Sequence, residues 1–559
     1  MQRGIERVRT LIVLAVLLAP PAVWSQGGGD SPFPSPQEVP TEIPGDAAAA
    51  PPEAPPAEAP ASMDVPDMDI PAMDIPQMPD VPLDMPDGIP PLPADAGADV
   101  PDIDLGKMGG KRRWLEVGGY LKNETAYRFD EPRTFTKIRN ILSLNLQLNL
   151  GRRARLYASG WTYYDSAYDL FDYDTIAARD RRNDKEPLVF IEDLPQEKDS
   201  EVADLREFYL DLYLPGMDVR LGRQFVIWGV LEGIRVVDEI NPMDFRELIL
   251  PELLDYRIPL WTAKVDLYRG DNTLEFLWIP DLRFHKSAPR GSEWELFQTL
   301  PATTYPKSFD PRFSEFGVRW TRPFLGAEVG LSYFYTWDDF PTTFRVISID
   351  DINSTEPVND LPIWPTHTRI SMYGLTFTRE IGGNILKGEL AYVTDKYFAI
   401  LDVDQDGDGY IDHDGEIQRD HIRWGIGYDF SWGGADFSPA FAQWIILDYT
   451  PLILQDQYDS SFNLFIRKPL RKRAAVFSLL LIQLINFEET YIKPKMTFDL
   501  GSRFQVAAGA DIFYGQKTQF GRAFDPNAPG NLIDVQQRAR FLGNFRDNRR
   551  VFVEFKYSF

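Results

Sequence analysis

The stretch RRVFVEFKYSF, Arg549 to Phe559, decides the fold class. Val551, Val553, Phe555, Tyr557 and Phe559 fall on one face, while Arg550, Glu554, Lys556 and Ser558 share the other with Phe552. A period of two is the mark of a strand with one apolar face. As the edge strand of a soluble sandwich, the competing reading, it would invite edge-to-edge aggregation. That liability disappears when the apolar face meets lipid and the free edge pairs with the first strand of a closed barrel. The stretch predicts a membrane barrel.

Working back from this strand, runs of about ten residues alternate with turn signals from Lys111 onward. They fall at 114–128, 137–150, 153–165, 203–214, 217–229, 259–268, 271–279, 314–323 and 326–337. They continue at 366–380, 384–398, 420–431, 435–449, 460–468, 474–485, 490–500, 503–514 and 549–559. Such runs suit tilted membrane strands. Leu142, Leu144, Leu146, Leu148 and Leu150 show the pattern directly, with Ser143, Asn145, Gln147 and Asn149 opposite them. Connections alternate between short turns, such as Gly151-Arg152, Pro215-Gly216 and Gly382–Asn384, and long loops near 166–202, 230–258, 281–312, 338–365, 399–419 and 515–547. Short turns on the periplasmic side and long loops outside are the asymmetry expected of an outer-membrane barrel. The expected fold is all-β, a transmembrane antiparallel barrel of about 18 strands over 107–559. Sixteen strands is the alternative count, because 460–468 is a weak run.

The front of the sequence differs in kind. Residues 1–25 read as a secretory signal peptide: Arg3, Arg7 and Arg9, then an apolar Leu11–Pro20, then Val23-Trp24-Ser25. Residues 26–106 contain 17 acidic residues and no Lys or Arg, and so supply most of the formal net charge of −26. Met63-Asp-Val-Pro66, Met68-Asp-Ile-Pro71 and Met73-Asp-Ile-Pro76 form a short repeat within it. So little apolar content and so much proline predict a disordered, extended acidic spacer, with docking on a periplasmic partner or the cell wall as its alternative role. Aromatic residues at 13% are abundant enough for interfacial girdles. The sequence has no Cys, which excludes disulfides, thiolate metal sites and lipid attachment through Cys.

The most informative block runs from Leu205 to Tyr268. It holds Leu221-Gly222-Arg223-Gln224, then Trp228-Gly229, then Asn241-Pro242-Met243-Asp244. Asn241 as cap and Pro242 at the first position predict a short helix over Met243–Leu250 that Pro251 ends. An amphipathic segment at a barrel mouth needs a surface to pack on, and the pore interior offers one. Arg223, Gln224, Arg235, Asp238, Asn241, Asp244, Arg246 and Glu247 are therefore candidates for a constriction whose charges select solutes. The alternative is that Arg223, Gln224 and Asp244 satisfy each other and simply pin the loop.

With its G-R-Q strand, W-G pair and N-P-x-D loop, this block resembles a family of large proteobacterial outer-membrane porin-like proteins of unassigned function. The alginate-exporter group of 18-stranded barrels is a more distant likeness, through the G-R-Q-type strand. The terminal Phe559, with aromatic and apolar residues at two-residue steps before it, resembles the C-terminal insertion signal of bacterial outer-membrane barrels. These resemblances imply an outer-membrane location and passage of small solutes, hydrophobic or carboxylate compounds among them.

A second motif is Asp404-Gln-Asp406-Gly-Asp408-Gly409-Tyr410-Ile411-Asp412, followed by Glu416. Convergent carboxylates at alternate positions around a glycine turn suit a hard dication. Gly415 stands where an EF-hand has its twelfth-position Glu, so a stand-alone structural calcium loop is expected, with Asp404, Asp406, Asp408, Tyr410, Asp412 and Glu416 as ligands. A solvated acidic loop is the alternative.

Enzyme chemistry finds little support. His285, His367, His413 and His421 are the only histidines, and none has a metal-ligand spacing. No nucleophile motif is present, and the acidic balance opposes nucleic acid. The reading is a solute-passing barrel in contact with outer-membrane lipid, with the 230–258 loop as its constriction. A scaffolding barrel whose spacer recruits a periplasmic partner is the rival.

Overall fold

The computed structural model describes residues 114–170, 204–286, 294, 303–345, 363–400, 406–407, 410, 412–470, 474–516 and 541–559. The expected signal peptide (1–25) and acidic spacer (26–106) lie outside the described residues.

The strands are β1 (Leu115–Arg128), β2 (Thr134–Asn149), β3 (Ala154–Asp165), β4 (Asp204–Leu214), β5 (Met217–Gln224), β6 (Leu260–Arg269), β7 (Asn272–Ile279), β8 (Glu315–Phe324) and β9 (Ala327–Trp337). A small ribbon, β10 (Thr342–Arg345) with β11 (Ile363–Thr366), stands apart from the main sheet. The wall resumes with β12 (Arg369–Ile381), β13 (Asn384–Ala399), β14 (Glu416–Trp432), β15 (Ala435–Ile446), β16 (Tyr458–Leu470), β17 (Ala475–Leu484), β18 (Glu489–Leu500), β19 (Phe504–Tyr514) and β20 (Arg550–Ser558). Each pairs antiparallel with its sequence neighbour, β9 pairs with β12, and β20 returns to β1, closing an 18-stranded barrel. At the seam Gly119 and Phe559 exchange backbone hydrogen bonds of 3.3 and 3.0 Å. Closure leaves no edge, which is why the aromatic C-terminal strand is tolerated.

The weak run at 460–468 is a full wall strand, Tyr458–Leu470, so the count is 18. Two strands end well short of the expected runs, β5 at Gln224 instead of Gly229 and β15 at Ile446 instead of Tyr449.

Alternation sorts the side chains. Leu121, Leu144, Leu221, Leu331, Ile426 and Val553 are exposed on the outer surface, a band that only lipid would cover. Exposed Trp114, Phe324, Trp432, Phe504 and Phe559 collect at the short-turn end. Trp278, Phe316, Tyr335 and Tyr514 do so at the long-loop end. Amphipathic rings at both rims match the two membrane interfaces. No helix among the described residues is long and apolar enough to cross a membrane.

Candidate functional site, the segment inside the barrel

Residues 225–259, between β5 and β6, fold back into the barrel and pack on inward-facing side chains around its circumference. Two glycines make the entry. Gly222 has φ +136°, and a Cβ there would lie 2.1 Å from the Phe208 carbonyl oxygen. A Cβ on Gly229 would meet Asp238 Cβ at 2.9 Å and Glu389 Oε1 at 3.1 Å. Both positions need glycine, one for backbone conformation and one for close approach. This is the physical content of the G-R-Q and W-G pairs.

Asn241 ties the two limbs together. Its Oδ1 accepts from the Val226 N–H at 2.8 Å, and its Nδ2 donates to the Ile258 carbonyl at 2.8 Å. Arg235 wraps the turn between them, donating to the Asp238 and Asn241 carbonyls at 2.6 and 3.1 Å. Asp238 accepts from the Trp228 N–H at 3.3 Å and pairs with Arg257 at 2.6 Å. Burial pushes the Asp238 carboxyl upward, but the Arg257 guanidinium overrides this and holds it below the usual range. Val226, Trp228, Leu231, Ile234, Val236, Val237 and Ile240 complete an apolar core with inward residues of the wall.

The wall grips this first limb at polar points. Glu389 of β13 accepts the N–H groups of Val230, Leu231 (2.7 Å) and Val237 (2.9 Å). Lys387 pairs with Glu232 at 2.9 Å, Arg423 of β14 with Glu239 at 2.6 Å, and Asn463 of β16 donates to the Gly233 carbonyl at 2.5 Å. Lys387 lies three residues from the short-turn end of β13, so the tip of the segment reaches almost the whole depth of the barrel.

The second limb, 243–256, is acidic. The expected helix over Met243–Leu250 does not form. A single 3-10 turn at Phe245–Glu247, capped by Asp244 and not Asn241, is followed by a helical turn at Leu253–Tyr256 beyond Pro251. The backbone groups a longer helix would need are used elsewhere, in bridges from Met243 to Arg257 and from Asp244 to Lys286. Met243, Phe245, Leu250 and Tyr256 join Tyr491, Phe513 and, from the 541–548 segment, Phe541 and Phe545 in a second apolar core. Around it, Glu247 is ion-paired to Lys137 and Arg139 of β2. Glu252 pairs with Lys495 of β18 at 2.9 Å, and Lys493 donates to the Leu250 carbonyl at 2.7 Å. Arg206 of β4 donates to the Leu254 carbonyl and to that of Arg257 at 2.9 Å. Burial raises the Glu247 carboxyl, yet Arg139 and Lys137 reverse this and hold it at about 2. Lys495 holds Glu252 at about 2 against its burial.

The candidate residues thus separate into three groups. Gln224, Arg235, Asp238 and Asn241 form the buried internal frame, with Gln224 donating to the Thr262 carbonyl at 3.0 Å. Arg223 is 2% exposed and stands in register with Phe208 and Trp261, on the opposite side of β5 from Gln224. Asp244 and Arg246 pair with each other at 2.6 Å, and Glu247 reaches Lys137 and Arg139 of the wall. Arg223, Gln224 and Asp244 are therefore not mutual partners among the contacts resolved. Glu389, Lys387, Asn463, Lys137, Arg139 and Lys495 went unread in the sequence. Their only signal was a charged or polar residue at a lumen-facing step of a strand.

In the acidic motif, Asp404 and Asp408 lie outside the described residues. Asp406, Tyr410 and Asp412 are described, and Glu416 is buried at the start of β14. Among the described residues no three His, Asp or Glu side chains come together in a metal-holding group.

No curated protein matches the sequence. Solved structures similar to this chain include Pseudomonas aeruginosa OccK3 (OpdO), at 9% identity over 80% of this chain and 95% of that one, TM-score 0.41. Acinetobacter baumannii OccAB3 is similar at 7% identity over 80% and 99%, TM-score 0.41. Pseudomonas aeruginosa OpdK, solved with vanillate, is similar at 10% identity over 80% and 98%, TM-score 0.40. Residues 123–412, more than half of the chain and including the G-R-Q, W-G and N-P-x-D block, match the family described as "Protein of unknown function (DUF1302)", and the chain belongs to that family.

Proposed function

We propose that this protein is an outer-membrane channel for small solutes, with hydrophobic and carboxylate compounds as candidates, and that the 230–258 stretch is its lumen constriction. The observation that supports this best is how the internal segment is held. Its second limb meets the wall through ion pairs at Glu247 and Glu252 and backbone contacts from Lys493 and Arg206. The limb's apolar side chains pack in the second core, but its charged groups meet cations and carbonyl partners of the wall, so a path past it is lined by groups that water and ions can replace. Arg235, Asp238 and Asn241 set the shape of the constriction, and Asp244, Arg246 and Glu247 present its charges. Planar-bilayer recording of the purified full chain tests this: discrete openings are expected, more frequent when 226–257 is replaced by a short Gly-Ser linker. A folded barrel that stays silent with and without the segment would refute it.

The rival is a closed scaffolding barrel, whose acidic spacer recruits a periplasmic partner. The close pairing of lumen charges, Asp238 with Arg257 and Lys387 with Glu232, favours a resting state that is shut.

A structural calcium ion in the 402–416 loop is part of the same reading, supported by the carboxylate spacing alone. Calcium should protect the 399–416 connection from protease in the wild type and not in Asp404→Asn. Equal cleavage with and without calcium would remove the ion from the account.

A further inference from the structure

The outer surface of the barrel carries a polar knot beside the closing seam. Asn123 of β1 stands in register with Asn140 of β2 on one side and Phe555 of β20 on the other. Two steps along β1 is Leu121, so both asparagines share the lipid face with Leu121 and Phe555, which are 50% and 53% exposed. Asn123 Nδ2 donates to Asn140 Oδ1 at 2.9 Å, and Thr125 Oγ1 donates to Asn123 Oδ1 at 3.0 Å. The Asn140 side chain is exposed, and its own Nδ2 donates to no partner among the described residues. Hydrocarbon offers such a donor nothing, so a polar group facing the bilayer must find its partner elsewhere. Next to the knot the outer wall is hollowed by a cavity of about 850 Å³. Asn123, Asn140 and Tyr164 line one end of it and Leu500 and Phe504 the other, with Leu121, Val506 and Phe555 between. Leu500 and Phe504 flank the short turn from β18 to β19, whereas Tyr164 is one residue from the long-loop end of β3. The hollow is therefore polar toward the long loops and apolar toward the short turns.

We infer that this hollow holds a lipid of the outer leaflet, of the kind whose acyl chains are rooted in amide, ester and hydroxyl groups. Its chain lies on Leu121, Val506 and Phe555, and an oxygen at the chain root accepts from Asn140 Nδ2. The direction of polarity selects the leaflet. An outer-leaflet lipid has its head toward the long loops and its tail toward the short turns, which sets the chain root at Asn123 and Asn140 and the tail at Leu500 and Phe504. A lipid of the opposite leaflet would bring its head to the apolar end. A second copy of this chain is the poorer occupant, because an isologous pair would set hollow against hollow and leave both without contacts. The bound chain crosses from β1 to β20, the seam at which the barrel closes. The inference goes beyond the channel reading. It uses the outer-membrane placement alone and holds for a conducting or a silent barrel.

The test is native mass spectrometry of the full-length protein in mild detergent, incubated in parallel with purified lipopolysaccharide or with phosphatidylethanolamine. Wild type should retain a single lipopolysaccharide through detergent washing, and several-fold less phosphatidylethanolamine. Asn140→Leu removes the donor, and Val506→Trp fills the floor of the hollow without touching the amides. Each should lower lipopolysaccharide retention several-fold. No retention by wild type, or equal retention by wild type and both variants, would overturn the inference. Phosphatidylethanolamine held as firmly as lipopolysaccharide would overturn the choice of leaflet, and a lipid-free mass of two chains would give the hollow to a second copy. If Asn140→Leu folds poorly, Val506→Trp decides alone. None of these outcomes bears on conduction, so the channel reading stands or falls separately in the bilayer recordings.

Discussion

Glu389 Oε2 accepts the Val237 N–H at 2.9 Å, joining a lumen-facing position of β13 to a turn 152 positions earlier in the chain. The other oxygen takes the N–H groups of Val230 and Leu231, so one side chain fixes the descending limb at both ends of its turn. Glu389→Gln would keep one acceptor and turn an amide NH2 toward a backbone N–H. Leaving a buried group unpaired costs about 1–3 kcal/mol. The β13 backbone pairing with Thr376 and Gly425 does not depend on the side chain. The expected outcome is faster hydrogen exchange at Val230, Leu231 and Val237 with little change in the barrel's thermal unfolding. Unchanged exchange would mean the turn is held by its apolar contacts instead.

The two glycines of the entry make opposite predictions. Gly222→Ala places a methyl group on the Phe208 carbonyl in a backbone region that L-residues avoid, which strikes the β4–β5 ladder itself. It should lower the yield of folded barrel. Gly229→Ala pushes on Asp238 and Glu389, which belong to the segment and its anchor. It should leave the barrel folded and loosen the segment, seen as protease cleavage within 225–259. The reverse pattern would show that the segment is needed for wall assembly.

Asp238 and Arg257 are both buried and 2.6 Å apart. Removing one partner from such a pair strands a charge and costs about 3–5 kcal/mol, whereas replacing both with apolar groups can be close to neutral. Asp238→Ala and Arg257→Leu should therefore each release the segment, and the double substitution should be milder than either alone. Additive effects in a double-mutant cycle would mean that the pair is not the connection between the two limbs.

Much of this was readable in the sequence, and the reasons differ by element. Strict alternation, as in Leu142–Leu150, survives any tertiary context because each step must choose lipid or lumen. The run at 460–468 read weakly because Tyr458-Asp-Ser-Ser opens polar, with Ser461 and Asn463 turned to the interior. The expected helix at 243–250 failed because cap and proline signals describe local preference. Here Met243, Asp244 and Phe245 instead satisfy their backbone groups against Tyr256, His285 and Lys286. Glu389 was invisible in isolation. Any lumen-facing carboxylate reads the same until the loop it holds, more than 150 positions away, has been placed.

The grip of the acidic limb should depend on pH in a defined direction. Glu247 and Glu252 have a carboxyl value of 4.5 when free and about 2 in place. A group held low in the folded state contributes fully above its free value and loses that contribution as pH falls toward its folded value. Asp255 works the other way: burial raises it despite Lys122, so its protonation relieves a cost instead of breaking a contact. The contribution of Glu247 and Glu252 to the closed state should therefore stay constant down to about 4.5 and weaken progressively between there and about 2. The measurement is the open fraction in bilayers on stepwise acidification, in wild type and in Glu247→Gln with Glu252→Gln. Wild type should open across that window, while the double variant, already released, should show no further change in it. A wild type that opens only on the alkaline side would show that a different set of groups holds the segment shut.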